Sequence, residues 1–183
     1  MIELKSPFDA EKIEKLRAGD AVSISGIIYT GRDAAHKRLC ELISNGKELP
    51  IDLFDTGIYY VGPAPAKPSC VIGSAGPTSS YRMDPYSEPL LEKGLRVMIG
   101  KGPRSDKFKE LLPKHTAVYM SAIGGAAASI SESVKSCELV AYEDLGAEAI
   151  YRLEVENFYA IVTYDAHGGD LFEAGTKKYS KKI

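Results

Sequence analysis

Three short segments of this chain set a cation beside glycine or a hydroxyl, a pattern suited to gripping a small anion. They are Thr30-Gly31-Arg32-Asp33, Gly76-Pro77-Thr78-Ser79-Ser80-Tyr81-Arg82-Met83-Asp84 and Gly100-Lys101-Gly102. Glycine lets backbone N–H groups approach a ligand, Arg presents a planar fork matched to carboxylate, and Lys supplies a compact charge. The set suits a dicarboxylate, with phosphate as the rival ligand. Each segment taken alone also reads as an ordinary turn with a solvated cation. A fourth glycine-bearing loop, Gly124-Gly125-Ala126, carries no cation.

Thr78 is a candidate base. A threonine hydroxyl takes a proton only where its alkoxide is stabilised, and the means in this sequence are Arg82 four residues on, Arg32 and Lys101 on other loops, and the N–H groups of a following helix. The competing reading is that Thr78 merely caps the helix running to about residue 93. His36, three residues after Asp33, reads either as a base or as support for the Arg32 loop. His115 and His167 sit near strand boundaries with no acid or thiol at ligand spacing, and Glu143-Asp144 reads as a turn and helix cap rather than a general acid. Neither P-loop spacing nor G-x-G-x-x-G is present, so nothing supports a nucleotide cofactor.

The elements that must position these loops follow from the pattern of apolar residues. DAEKIEKLR (9–17) is a short helix. AVSISGIIYT is a mostly alternating strand in which Gly26 permits a bend or bulge, and AAHKRLCELISNG is a helix on the spacing of Ala35, Leu39, Leu42 and Ile43. IYYVG (58–62) leads into a proline-stiffened loop and the apolar CVIGS (70–74). LLEKGLRVMIGKG reads as helix end, buried strand and turn, KFKELLP as a helix, and TAVYMSAIGG as a buried strand. AAASISESVKS reads as a helix, ELVAYEDLG as a strand and turn, EAIYRLEVEN as a short amphipathic piece, and FYAIVTYDAHGGD as a final strand. Strands alternating with helices predict an α/β layered domain with part of its sheet parallel, and ligands in such folds collect beyond the carboxyl ends of the strands. The four loops lie at such ends.

The 183 residues predict one compact domain over 1–183, with a short basic tail at about 177–183 frayed. With 44% apolar and 26% charged residues, the composition excludes disorder as the main state. Lys and Arg number 23 against 25 acids, a net charge of −2, so no global field recruits nucleic acid or anionic lipid. The N-terminal MIELKSPFDAEKIEKLRAGD is charged and helical rather than signal-like, and no apolar run is long enough for a bilayer. Three scattered cysteines, Cys40, Cys70 and Cys137, predict a reduced, cytoplasmic protein and cannot complete a zinc or iron–sulfur site.

The strings SGIIYTGRDAAHKRL, IYYVGPAPA, AGPTSSYRMD, IGKG, AIGGAAASISESVKS and VAYEDLGAEAIYRLEVENF occur in that order between about residues 5 and 179. They resemble the β subunit, equivalent to the C-terminal domain, of class I iron–sulfur fumarate hydratases. A related family, the β subunit of L-tartrate dehydratase, has Cys where this chain has Gly31 and Cys-His where it has Ala35-His36, which tilts the resemblance toward fumarase. It implies a swivelling β/β/α domain, a layered mixed sheet flanked by helices, docking on a larger α subunit. That partner would hold a [4Fe–4S] cluster through three cysteines, with one iron open as a Lewis acid on the leaving hydroxyl, and this chain would bind no metal. Carried over, Arg32, Arg82 and Lys101 would grip the carboxylates of a small dicarboxylate, and Thr78 would take the C3 proton of malate. Asp33 and His36 would stand behind them. Ser79-Ser80-Tyr81 departs from the threonine and small residues common after the motif's threonine, which bears on local packing. The implied activity is a hydro-lyase interconverting fumarate and (S)-malate, inactive without its α subunit. The alternatives are a tartrate or other hydroxy-diacid dehydratase and a non-catalytic anion-binding module; self-association of the isolated chain stays open.

Overall fold

The computed structural model describes residues 1–68, 70–123 and 125–180. Among the described residues, seven strands and six α-helices follow one another as a mixed α/β architecture, as the alternation predicts. The strands are β1 (Ile2–Lys5), β2 (Ala21–Thr30), β3 (Gly57–Tyr59), β4 (Val97–Gly100), β5 (Val118–Ser121), β6 (Val134–Ala141) and β7 (Ile150–Tyr164). The helices are α1 (Ala10–Glu14), α2 (Asp33–Ser44), α3 (Asp84–Glu92), α4 (Asp106–His115), α5 (Ala127–Glu132) and α6 (Leu171–Tyr179). No helix among the described residues is long and apolar enough to cross a membrane.

Strands β1 to β5 run parallel, each paired with the next. The long β7 is antiparallel to β2 along one edge, and to β6 and β5 along the other. The circuit β2–β3–β4–β5–β7–β2 therefore closes on itself, which removes the exposed edges that five strands would otherwise carry. β2 breaks register between Ile24 and Gly26, where Gly26 takes φ +103°, so the predicted bend is a β-bulge at a residue without a β carbon.

Alternation along the central strands sorts side chains into two cores. Val97, Ile99, Val118 and Met120 pack inside the closed circuit with Val22, Ile24, Leu153 and Phe158. Met98 and Tyr119 face the other way and pack with Leu39, Leu90, Leu91, Phe108 and Leu112 of α2, α3 and α4. Both faces of β4 and β5 are thus covered, which is why their sequences are continuously apolar rather than alternating. Each such side chain contributes roughly 1.5–3 kcal/mol on burial. The α4 helix starts where Ser105 Oγ accepts from the Phe108 N–H at 3.3 Å, and α1 where Asp9 accepts from Lys12 N–H at 3.0 Å.

Several elements differ from the sequence reading. The N-terminus is not wholly helical: Ile2–Lys5 is strand because it pairs with Val22–Ser25, a non-local contact. Residues 70–74 take neither helix nor strand. The helix read over AAASISESVKS ends at Glu132, and its last three residues, Val134 to Ser136, begin β6. EAIYRLEVEN and FYAIVTYDAHGGD form one continuous 15-residue strand, with Asn157 at φ 55° inside it. The tail expected to fray is helical through Tyr179, and residues 181–183 lie outside the described residues.

Candidate active site

The parallel strands bring the predicted loops to one end of the molecule. Arg32 lies two residues beyond β2, and Lys101 directly follows β4. The Thr78 segment is held across β3 and β4: Thr78 N–H donates to Tyr60 O at 2.8 Å, and Ser80 N–H donates to Lys101 O at 3.0 Å. Ser79 and Lys101 form an isolated parallel bridge, so the backbone of Lys101 is adjacent to that of the threonine loop.

Thr78 does not cap a helix. A 3₁₀ turn, Ser80–Met83, precedes α3, and neither start carries a side-chain cap bond. The Thr78 hydroxyl instead accepts from Arg82 Nη2 at 2.9 Å, one turn along the same loop. A guanidinium held on a hydroxyl oxygen favours its anionic form, because the charge develops opposite a fixed cation in a half-buried setting.

Arg32 and Arg82 do not stand alone. Arg82 Nη2 is 3.3 Å from Asp33 Oδ1, and Arg32 Nε is 4.0 Å from the same oxygen, so one carboxylate lies between two guanidiniums. Arg32 Nη2 also pairs with Glu148 Oε1 at 3.2 Å. Glu148 arrives there because Thr30, at the end of β2, donates to Ala149 O at 3.1 Å and accepts from Tyr151 N–H at 2.9 Å. Arg32 Nε, Arg82 Nε and Asp33 Oδ1 are shielded from water yet make no hydrogen bond. Groups left this way each cost about 1–3 kcal/mol, so the cluster is not at its own electrostatic optimum. Lys101 has an exposed side chain, and among the described residues no acid pairs with it.

His36 is buried on α2, at 1% exposure. Its Nδ1 lies 2.8 Å from Arg32 O, and a carbonyl can only accept, so Nδ1 carries the hydrogen and Nε2 is a bare acceptor. Nε2 is buried with no partner. Burial foremost pushes the imidazole down to about 4, with the nearby Arg104 charge also opposing protonation. His36 is thus a neutral prop beneath Arg32. α2 itself has no side-chain cap at Arg32, so its first N–H groups add partial positive charge at the same place.

Four functional groups near the site have no local sequence signal: Glu148, Ser80, Asp84 and Arg104. Arg104 is a buried cation whose side chain is wholly covered. It pairs with Asp84, donates to Ser87 Oγ at 3.0 Å, and has its guanidinium carbon 3.4 Å from the Phe108 ring centroid. This clamp ties the end of the threonine loop to the segment after Lys101. Elsewhere Glu143-Asp144 opens a 3₁₀ turn, as read, and Asp144 pairs with Arg38 at 2.5 Å. His115 ends α4, and His167 reaches Glu14 O from an exposed loop. Of Gly124-Gly125-Ala126, Gly124 lies outside the described residues, and Ala127 just beyond accepts from Ala75 N–H at 3.2 Å.

The cysteines do not fit a cluster. Cys40 stands on α2, Cys137 on β6 and Cys70 in an exposed loop. Among the described residues no three His, Cys, Asp or Glu side chains are placed to hold a metal ion.

The chain matches one family model, described as the fumarase C-terminus, over residues 1–175. The chain belongs to that family. It is 44% identical over 154 residues to the anaerobic class I fumarate hydratase of Escherichia coli strain K12, covering 83% of this chain and 28% of that protein. It is 36% identical over 177 residues to the mitochondrial fumarate hydratase 1 of Leishmania major, covering 94% and 32%. A Methanocaldococcus jannaschii protein with the provisional name L(+)-tartrate dehydratase subunit beta is 37% identical over 177 residues, covering 93% and 91%. The chain therefore spans about a third of the fumarate hydratases it matches and nearly all of the tartrate dehydratase relative.

Proposed function

We propose that this chain is the β part of a fumarate hydratase that interconverts fumarate and (S)-malate together with an α subunit carrying a [4Fe–4S] cluster. The observation that carries the reading is the Arg82 guanidinium 2.9 Å from the Thr78 hydroxyl, in a loop hydrogen-bonded to the Lys101 strand end. Thr78, as alkoxide, takes the proton from the carbon beside a substrate carboxylate. Removing that proton builds negative charge on the carboxylate, and fixed cations facing it lower the barrier by several kcal/mol in a water-poor cleft. Arg32 and Lys101 bind the carboxylates, with Asp33 and Glu148 fixing the guanidinium planes and His36 supporting Arg32 from below. The three cysteines of this chain supply no cluster ligation, so the chain is inactive alone. Departure of the hydroxyl belongs to the partner.

Assembling the chain with a cluster-bearing α subunit and assaying both diacids tests this. Turnover of fumarate and malate in preference to tartrate is the expected result. A preference for tartrate would overturn the substrate, and absence of both complex and turnover would favour an anion-binding module. Tartrate is the second reading because a relative named as an L(+)-tartrate dehydratase subunit beta is 37% identical over 93% of this chain.

A further inference from the structure

We propose that Ser80, backed by Tyr119, is a positioning residue that sets the spacing between Thr78 and Lys101, an inference that rests on the reading of the site given above. Ser80 is fully buried, and its N–H and Oγ both reach the backbone of Lys101 at the end of β4. Its N–H donates to Lys101 O at 3.0 Å, and its Oγ accepts from Lys101 N–H at 3.0 Å. The Ser80 side-chain oxygen thus adds an acceptor beside the single parallel bridge between Ser79 and Lys101, stitching the threonine loop to the end of β4.

Two further observations show that this contact is built rather than incidental. The Tyr119 hydroxyl lies 3.0 Å from both Ser80 Oγ and Gly102 O and shares its one hydrogen between them, so the same phenol touches both sides of Lys101. Tyr119 is itself rigid: it is buried, stacked on Tyr164 at 5.5 Å and edge-on to Phe108 at 6.2 Å. Burial also raises the phenol above its ordinary value, so it remains a donor at neutral pH. Gly100 completes the arrangement. A β carbon there would overlap Ser80 Oγ and come within 2.9 Å of the Tyr60 ring. The glycine before Lys101 thus makes room for the serine hydroxyl rather than for a ligand, which gives a physical account of the Gly100-Lys101-Gly102 string.

Thr78 and Lys101 must act on one small substrate, and a misplacement of about 1 Å costs on the order of 100-fold in rate. Ser80 touches no substrate in this account; it acts through the backbone of Lys101. Ser80→Ala in the assembled enzyme should lower kcat/KM by about 10- to 100-fold. In a Lys101→Ala background the same change should cost less than about twofold, because the side chain whose position it sets is gone. Amide exchange in the full 183-residue chain supplies a readout that needs no activity: the Lys101 N–H should exchange at least about tenfold faster in Ser80→Ala, with β2 and β7 amides unchanged. If Ser80→Ala fails to fold, Tyr119→Phe, which keeps the ring, carries the same measurements. Additive losses in the double variant, or an unchanged Lys101 amide in a folded variant, would overturn the proposal. A wild-type assembly inactive on both diacids would instead sink the hydratase reading, leaving amide exchange to decide whether Ser80 holds Lys101.

Discussion

Acid should destabilise this protein through His36. Its imidazole is 1% exposed, its Nδ1–H is committed to Arg32 O, and its Nε2 faces no partner that could take up a second proton's charge. Native His36 protonates near 4, whereas an unfolded His protonates near 6.5. Between those values the unfolded chain binds a proton that the native chain refuses. The native pKa is the depressed one, so this contribution is whole above pH 6.5, declines as pH falls, and is gone below about 4. The slope is about 1.4 kcal/mol per pH unit, which gives roughly 2 kcal/mol at pH 5 and roughly 3 kcal/mol at pH 4. That is a large share of a usual stability of about 5–15 kcal/mol. The chain has no tryptophan, so urea unfolding is best followed by far-ultraviolet circular dichroism. Wild type and His36→Gln, each measured at pH 7 and pH 5, differ in one ionisable group alone, so the comparison isolates His36. The wild type should lose about 2 kcal/mol more than the variant between the two pH values. Equal losses, or an NMR titration of His36 with a midpoint near 6.5, would refute the burial argument.

The remaining predictions concern the strand-end cluster. Arg82→Ala should remove about 2–4 kcal/mol of transition-state stabilisation in the assembled enzyme, and Arg32→Ala less, because Arg82 alone reaches Thr78; kcat/KM measured on both variants decides the order. Thr78→Ala should depress kcat far more than it raises KM, while Thr78→Ser should retain much of the activity; turnover surviving with only weaker binding would move the base elsewhere. Gly100→Ala should destabilise the chain by about 1–3 kcal/mol through overlap with Ser80 and Tyr60, read as a shifted urea midpoint, and an unshifted midpoint would show that the packing there can give.

How far the sequence discloses this molecule depends on the range of each signal. β2 and its break at Gly26 are legible because alternation and a single glycine are local features. β1 is not, since IELK is too short to show a period and becomes strand only beside Val22–Ser25. The long β7 reads as two pieces because Asn157 interrupts its pattern, and only pairing with three other strands keeps it whole. Arg32, Thr78, Arg82 and Lys101 can be picked out by residue type, each in a segment that sets a cation beside glycine or a hydroxyl. Glu148 cannot, being an acid in a charged turn that reaches Arg32 only through the Thr30–Ala149 bond. Ser80 is equally silent, because its importance lies in the empty space at Gly100, twenty residues away.

The interleaved acids change what the cations can do. Arg32 and Arg82 carry two positive charges, and Asp33 and Glu148 return two negative ones to the same cluster. A dicarboxylate brings two more, so this half of the site cannot neutralise it by itself. The unsatisfied Nε atoms of both arginines point to the same conclusion: the guanidiniums are preorganised, held in orientation by Asp33 and Glu148, but not saturated. Preorganised and incompletely satisfied donors stabilise charge that appears during a reaction better than charge already present in the ground state, which is the arrangement catalysis requires. On the proposed reading, the surplus negative charge of a bound diacid is left for groups that the α subunit would supply.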